Sequence, residues 1–257
     1  MTGRYALFDS DIRSFNFIED FTVITNGKAN LAKLFLDKIT RKSNLVRSLR
    51  YRIWGIYTGD GLGYDRNLET KVKIKRLQGY FQTYKYYLNM LHLDNIPKLE
   101  LKKESEWFIS LKTIMLSKPI IVIHIRRGDY NKVSSSIGML GQDYYSEAIH
   151  QIRKTLPEGE FWIFSDDTNA AKQILHGIEM DKCTWISPPI GTDATESLVL
   201  MSFGKAIITA NSSFSWWAAV SGNRTKNVIA PIPWFKNLDE PKDLIPAHWL
   251  RIKSSWV

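Results

Sequence analysis

Cysteine is almost absent from this chain. Cys183 is the only one in 257 residues, which excludes an internal disulfide framework and fits a reducing, cytoplasmic setting in which it serves as a small buried hydrophobe. No Cys/His cluster has the spacing of a zinc site. No uninterrupted apolar stretch follows Met1-Thr2-Gly3-Arg4-Tyr5, so neither a signal peptide nor a transmembrane anchor is expected and the chain should be soluble. The glycosylation sequons Asn211-Ser212-Ser213 and Asn223-Arg224-Thr225 are then chance matches. Repeats and low-complexity tracts are missing too. Acidic residues are the scarcer charge, with 26 Asp and Glu against 35 Lys and Arg. That balance favours a phosphate-rich partner such as a nucleotide, a nucleic acid or an anionic membrane surface, without choosing among them. The reading as a nucleic-acid-binding module is weakened because the basic residues are scattered and no nucleic-acid motif is visible.

Hydrophobic residues make up 44% of the sequence, enough to bury the core of one large or two small domains. The clearest element is Ile120-Ile121-Val122-Ile123-His124-Ile125, a β-branched run bounded by Pro119 and followed by Arg126-Arg127-Gly128-Asp129-Tyr130. It predicts a buried parallel strand whose carboxyl end opens into a charged loop, the place where open α/β sheets bind ligands. Two adjacent guanidinium forks there could hold a strongly anionic ligand bidentately; alternatively, Asp129 merely pairs with an arginine.

Before residue 115 the pattern is weaker. Tyr5 to Phe8 reads as a short strand, Leu31 to Ile39 as a helix, and Lys71 to Leu77 as a strand. Gly79-Tyr80-Phe81-Gln82 opens an aromatic-rich helix through Leu91, Asn95-Ile96-Pro97 breaks it, and Glu104 to Leu116 is again helical. From Pro119 on the alternation is regular. Tyr145, Ala148, Ile149, Ile152 and Leu156 recur at helical spacing. Phe161 to Phe164 is a strand, Ala171 to Ile178 a helix, Thr184 to Ile186 a strand and Glu196 to Phe203 a helix. Ala206 to Ala210 is a strand, Ser213 to Val220 a helix, and Asn227 to Ala230 a last strand. Such alternation predicts a doubly wound, mostly parallel sheet.

Three predicted strand exits carry polar groups: His124 to Asp129, Ser165-Asp166-Asp167, and Asn211-Ser212-Ser213-Phe214-Ser215. The third feeds a helix, whose free N–H groups and positive dipole end make a phosphate seat, although Ser212 or Ser213 also reads as a plain N-cap. The carboxylates of the second suit ribose hydroxyls or guanine N–H groups, or else cap the following helix.

These residues resemble a known family. His124-Ile125-Arg126-Arg127-Gly128-Asp129-Tyr130 is similar to the H-x-R-R-G-D-Y motif of the α-1,2-fucosyltransferases, inverting GT-B-type enzymes that use GDP-L-fucose. Gly79-Tyr80-Phe81-Gln82 resembles the family's G-Y-F-Q element, Ser165-Asp166-Asp167 its S-D-D, and Glu196 with Leu200-Met201-Ser202 its E-x-x-x-L-M-S. Ala210-Asn211-Ser212-Ser213-Phe214-Ser215-Trp216-Trp217 resembles A-N-S-T-F-S-W-W, and Ala230-Pro231-Ile232-Pro233-Trp234-Phe235 resembles A-P-x-x-W-F. The family's usual opening strand and G-G-L-G-N-Q-M-F-Q-Y loop have no counterpart in the sequence.

The resemblance implies an α/β, GT-B-like fold: an incomplete N-terminal, acceptor-side α/β domain over residues 1–117 and a Rossmann-like GDP-fucose-binding domain over 118–257. It implies transfer of L-fucose from GDP-L-fucose, with inversion, to the 2-hydroxyl of a galactose-terminated acceptor in surface-polysaccharide (O-antigen) synthesis. A lipid-linked acceptor would bring a cytoplasmic protein to the inner membrane face. Arg126 or Arg127, with Ser213, would stabilise charge on the departing GDP without a metal or other cofactor. Asp166 or Asp167 would bind the nucleoside and Glu196 a donor hydroxyl or the loop. His124 and Asp129 are the candidate bases. Because the absent loop would face the donor, the alternative is a nucleotide-sugar-binding protein without activity.

Overall fold

The computed structural model describes residues 44–59, 63–69, 74, 76–78, 83–86, 99–132, 134–222 and 227–257. The elements expected before residue 44, the Gly79–Gln82 motif, the break at 95–97 and the second sequon lie outside them. The described residues fall into two compact units.

In the first unit, helix α1 (Asn44–Trp54) leads through Gly55 into strand β1 (Ile56–Thr58). After the short helix α2 (Arg66–Glu69) comes β2 (Arg76–Gln78), which pairs with β1 in parallel. The buried Asp65 carboxylate accepts the Tyr57 hydroxyl at 2.7 Å and the Asn67 N–H at 3.0 Å. Pro241–Leu244 also belongs to this unit, with Asp243 bound to Lys85 at 3.1 Å.

The second unit comprises Pro97–Glu240 and Ile245–Val257 among the described residues. Helix α3 (Glu106–Ser117), expected to close the first domain, belongs here instead. The boundary accordingly falls near residue 97 and not at 117, for a physical reason: Phe108 is fully buried and meets Phe203 edge-on, ring centroids 6.4 Å apart. Next come β3 (Ile120–Ile125), α4 (Gln142–Thr155), β4 (Glu160–Ser165), α5 (Thr168–Ile174), β5 (Cys183–Ile186) and α6 (Ala194–Met201). The unit ends with β6 (Ala206–Ile208), α7 (Ser213–Val220), β7 (Asn227–Ile232) and β8 (Leu250–Lys253).

The six strands β3 to β8 form one wholly parallel sheet in the order β5-β4-β3-β6-β7-β8. Counted from β3, that is the 3-2-1-4-5-6 order of doubly wound nucleotide-binding sheets, with the switch point between β3 and β6. All six residues of β3 are buried, as befits a strand covered by helices on both faces. The expected alternation therefore holds, with two differences. Helix α5 stops at Ile174, well short of Ile178. The sheet also continues past β7 into β8, which sequence patterning misses because Ile252 alone of its four residues is buried while Arg251 and Lys253 charge the outer edge.

Candidate active site

The carboxyl ends of β3 and β6 flank the switch point, and β4 lies beside β3. The first exit is built around a carboxylate from the second. Asp166 accepts the backbone N–H of Arg127 through Oδ1 at 2.8 Å and meets the Arg126 Nε through Oδ2 at 3.2 Å. Gly128 is required by that approach, because a Cβ there would lie 2.6 Å from Asp166 Oδ2. The chain then turns through a 3-10 segment, Gly128–Lys132, which brings Asp129 back to Arg126 at 2.9 Å. The Arg126 guanidinium also stands over the Tyr130 ring, 5.6 Å from its centroid. Tyr130 in turn donates its hydroxyl to the Asn211 carbonyl at 3.1 Å, tying the β3 exit to the β6 exit.

The two adjacent arginines differ sharply. Arg126 keeps 22% of its side-chain surface exposed, and its partner Asp129 keeps 64%. Arg127 is only 4% exposed. It donates Nη2 to the Leu140 carbonyl, while Nε is buried without a partner. Burial lowers its affinity for a proton, and the nearby Asp166 and Asp167 carboxylates oppose that effect. The expectation of two guanidinium forks side by side at the strand exit is thus corrected: Arg127 is a core group that braces a loop, and Arg126 is the accessible cation.

His124 is also inside, 3% exposed, with Nδ1 unpartnered and its ring 5.7 Å from that of Phe214. Burial, with Arg126 as a smaller cause, lowers its pKa from 6.5 to about 3, so it stays neutral and does not fit a base that cycles near neutral pH. Asp129 is the exposed carboxylate of the motif.

At the second exit, Asp167 caps α5 by accepting the Ala170 N–H at 3.0 Å, and Ser165 folds back on Asp167. Of the two roles expected for these carboxylates, Asp167 shows the helix cap, while Asp166 takes one that was not expected and organises the arginines. At the third exit, Ser212 caps α7 by accepting the Phe214 N–H at 3.3 Å, and the buried Ser215 hydroxyl donates to the Ser212 carbonyl at 3.3 Å. Ser213, at the first position of α7, is exposed. Asn211 is buried, donates to the Ile137 and Gly138 carbonyls at 3.1 Å each, and leaves Oδ1 unpartnered. Trp216 is core, with Trp217 edge-on to it at 5.0 Å.

Glu196 lies in the first turn of α6. Its buried carboxylate accepts the Ser105 N–H at 3.2 Å and the Ser105 hydroxyl, fixing the residue that caps α3. The resemblance assigns Glu196 a donor hydroxyl or the loop; the structure shows it bonding α6 to α3. Sequence reasoning also missed Tyr144 and Tyr145, whose hydroxyls donate to the carbonyls of Thr209 at 2.7 Å and His124 at 3.2 Å. The helical spacing that begins at Tyr145 marks only a core face, and Tyr144 is not part of it. Among the described residues there is no cluster of metal-ligating side chains, and no helix long and apolar enough to cross a membrane.

An α/β protein with a doubly wound parallel sheet and polar side chains, Arg126 among them, at the strand exits flanking its switch point is the class that fold and site define. The family model for glycosyl transferase family 11 matches residues 76–252, and the chain belongs to that family. An alpha-1,2-colitosyltransferase of Escherichia coli is 34% identical over 140 residues, 52% of this chain and 47% of that protein. The O-antigen biosynthesis glycosyltransferase WbnK of the same species is 31% identical over 140 residues, 51% and 43% of the two chains. The chain spans about half the length of the curated relatives it matches. Among solved structures, a family 9 glycosyl transferase from Veillonella parvula is 12% identical with a TM-score of 0.42, covering 92% of this chain and 74% of that one. POFUT1 in complex with GDP-fucose is 14% identical with a TM-score of 0.35, covering 50% and 46%.

Proposed function

We propose that this chain is a glycosyltransferase that moves L-fucose from GDP-L-fucose to the 2-hydroxyl of a galactoside with inversion, in O-antigen or related surface-polysaccharide synthesis. Family membership supports the reaction class. The names of the two Escherichia coli relatives support the 1,2 linkage and the polysaccharide setting, and a colitosyltransferase among them makes the identity of the sugar the point to test first. The single observation that carries the reading is the switch point itself. A partly exposed guanidinium, Arg126, and the start of α7 at Ser213 lie on the two exits that flank it, where a pyrophosphate is held in sheets of this order.

In the proposed reaction the bond between the sugar's C1 and the β-phosphate oxygen breaks, and its electron pair leaves with GDP. The acceptor oxygen bonds to C1 from the opposite face. Arg126, with the Ser213 hydroxyl and the free N–H groups of α7, stabilises the charge growing on the leaving group. Asp166 holds Arg126 in place. Asp129 is released from Arg126 when the pyrophosphate arrives and takes the acceptor's proton. A guanidinium in this position does the work that a divalent cation does elsewhere, so the reaction needs no metal. The acceptor is a galactose-terminated oligosaccharide, lipid-linked at the inner membrane face.

The test is a panel of GDP-sugars, GDP-L-fucose among them, with galactoside acceptors, the product linkage being read by NMR. Transfer to the galactose 2-hydroxyl that survives EDTA is expected. GDP-fucose binding without turnover would select a nucleotide-sugar-binding role instead, and activity lost to EDTA and restored by Mn²⁺ would overturn the metal-free account.

A further inference from the structure

The two exits that flank the switch point are held to each other by a third piece of chain. Residues Ile137–Leu140 present four consecutive carbonyls. Those of Ile137 and Gly138 take the Asn211 side chain from the β6 exit, and that of Leu140 takes Arg127 from the β3 exit. The Met139 carbonyl faces the other way and takes the Val257 N–H at 3.0 Å. Helix α4, which begins straight after, repeats the pattern: Tyr145 donates to His124 on β3, and Tyr144 to Thr209 just after β6. Four side chains thus span the same pair of strand ends.

This clamp has a seat. Leu140 and Trp256 form an antiparallel bridge, and the Gly141 N–H donates to the Ser255 carbonyl at 2.7 Å. Gly141, the N-cap of α4, has no side chain with which to cap; the Ser255 hydroxyl accepts the Tyr144 N–H in its stead, at 3.2 Å. Gly138 has φ +81°, and a Cβ there would lie 2.5 Å from the Trp256 ring. The ring therefore rests directly on the loop backbone, at a residue where only glycine is unstrained. Two atoms of the clamped side chains, Arg127 Nε and Asn211 Oδ1, remain buried and unpartnered, an unusual condition for buried polar groups.

We infer that Ser255 and Trp256 are positioning residues for the donor site: by seating the Ile137–Tyr145 segment they set the spacing of the β3 and β6 exits, and with it the width of the crevice that receives the pyrophosphate. Neither residue belongs to any motif noted in the sequence. The inference rests on the reading of the switch point as the donor site. It makes affinity for the nucleotide depend on a side chain that does not touch it.

The experiment compares Trp256→Ala, Trp256→Phe and Ser255→Ala with the parent chain by GDP titration, by donor and acceptor KM, and by hydrogen exchange. Trp256→Ala should raise the GDP Kd and donor KM about tenfold, roughly one misaligned hydrogen bond's worth, with the acceptor KM within about twofold, and Trp256→Phe should restore most of the loss. Ser255→Ala, the milder change, should move the same two constants about threefold, and it carries the test if Trp256→Ala fails to fold. A lower melting temperature with the GDP Kd and the donor-to-acceptor KM ratio unchanged overturns the inference. If the parent chain binds no GDP, the donor-site reading falls, and hydrogen exchange decides the clamp alone. Peptides covering 124–130 and 209–213 should then exchange faster in Trp256→Ala while 160–165 does not, and equal exchange in all three overturns it.

Discussion

Replacing each of two adjacent arginines by alanine should separate a core group from a site group. Arg127→Ala removes the donor to the Leu140 carbonyl, and an acceptor left buried and unpaired costs about 1–3 kcal/mol. It also removes two buried methylenes, at about 0.8 kcal/mol each. The guanidinium's own burial is unfavourable, as the lowered proton affinity of Arg127 indicates, and its relief offsets part of the loss. The net is about 2 kcal/mol, or roughly 4–8 °C in melting temperature. Arg126→Ala breaks only partly exposed pairs with Asp129 and Asp166, worth about 0.5 kcal/mol together, or about 2 °C. Arg127→Met, which keeps the apolar stem, should recover about half of the Arg127→Ala loss. Differential scanning fluorimetry on the purified variants, beside donor-transfer assays, gives both quantities. Arg126→Ala should be inactive and nearly as stable as the parent. Should Arg127→Ala melt with Arg126→Ala or above it, the burial argument is wrong.

Other expectations follow from the same geometry. The folded-state pKa of His124, about 3, lies below its ordinary 6.5, so on acidification the unfolded chain takes the proton first. The stability this imidazole contributes is complete above pH 6.5 and drains away toward pH 3 at up to about 1.4 kcal/mol per pH unit. Urea melts at pH 7.5 and 5 should therefore differ by about 2 kcal/mol less in His124→Gln than in the parent, and equal differences refute the assignment. A double-mutant cycle on Ser105→Ala and Glu196→Ala should show a coupling of about 1–2 kcal/mol; a coupling indistinguishable from zero returns Glu196 to the list of ligand contacts. Gly128→Ala forces Asp166 aside, so GDP affinity should fall about tenfold or more while the melting temperature drops by only a few degrees. Unchanged affinity would remove Asp166 from its organising role.

The amino-acid order alone determined the succession of strands and helices from Pro119 as far as β7, because each element is patterned over its own few residues: an unbroken apolar run for β3, helical spacing for α4, a serine before the first turn of α7. It also located the polar strand exits, since a parallel strand's carboxyl end is where its apolar run stops. What the sequence could not decide was which of two neighbouring arginines faces water, which of two aspartates caps a helix, or that Glu196 would turn to Ser105. The answers rest on partners well apart in the chain: Leu140 for Arg127, Arg127 for Asp166 and Ser105 for Glu196, 13, 39 and 91 positions away. β8 and the Ser255–Trp256 seat were hidden for the same reason. Local propensity sets an element's type, but the burial and bonding of its side chains are decided only when distant segments close around them, and in this sheet they close at the switch point.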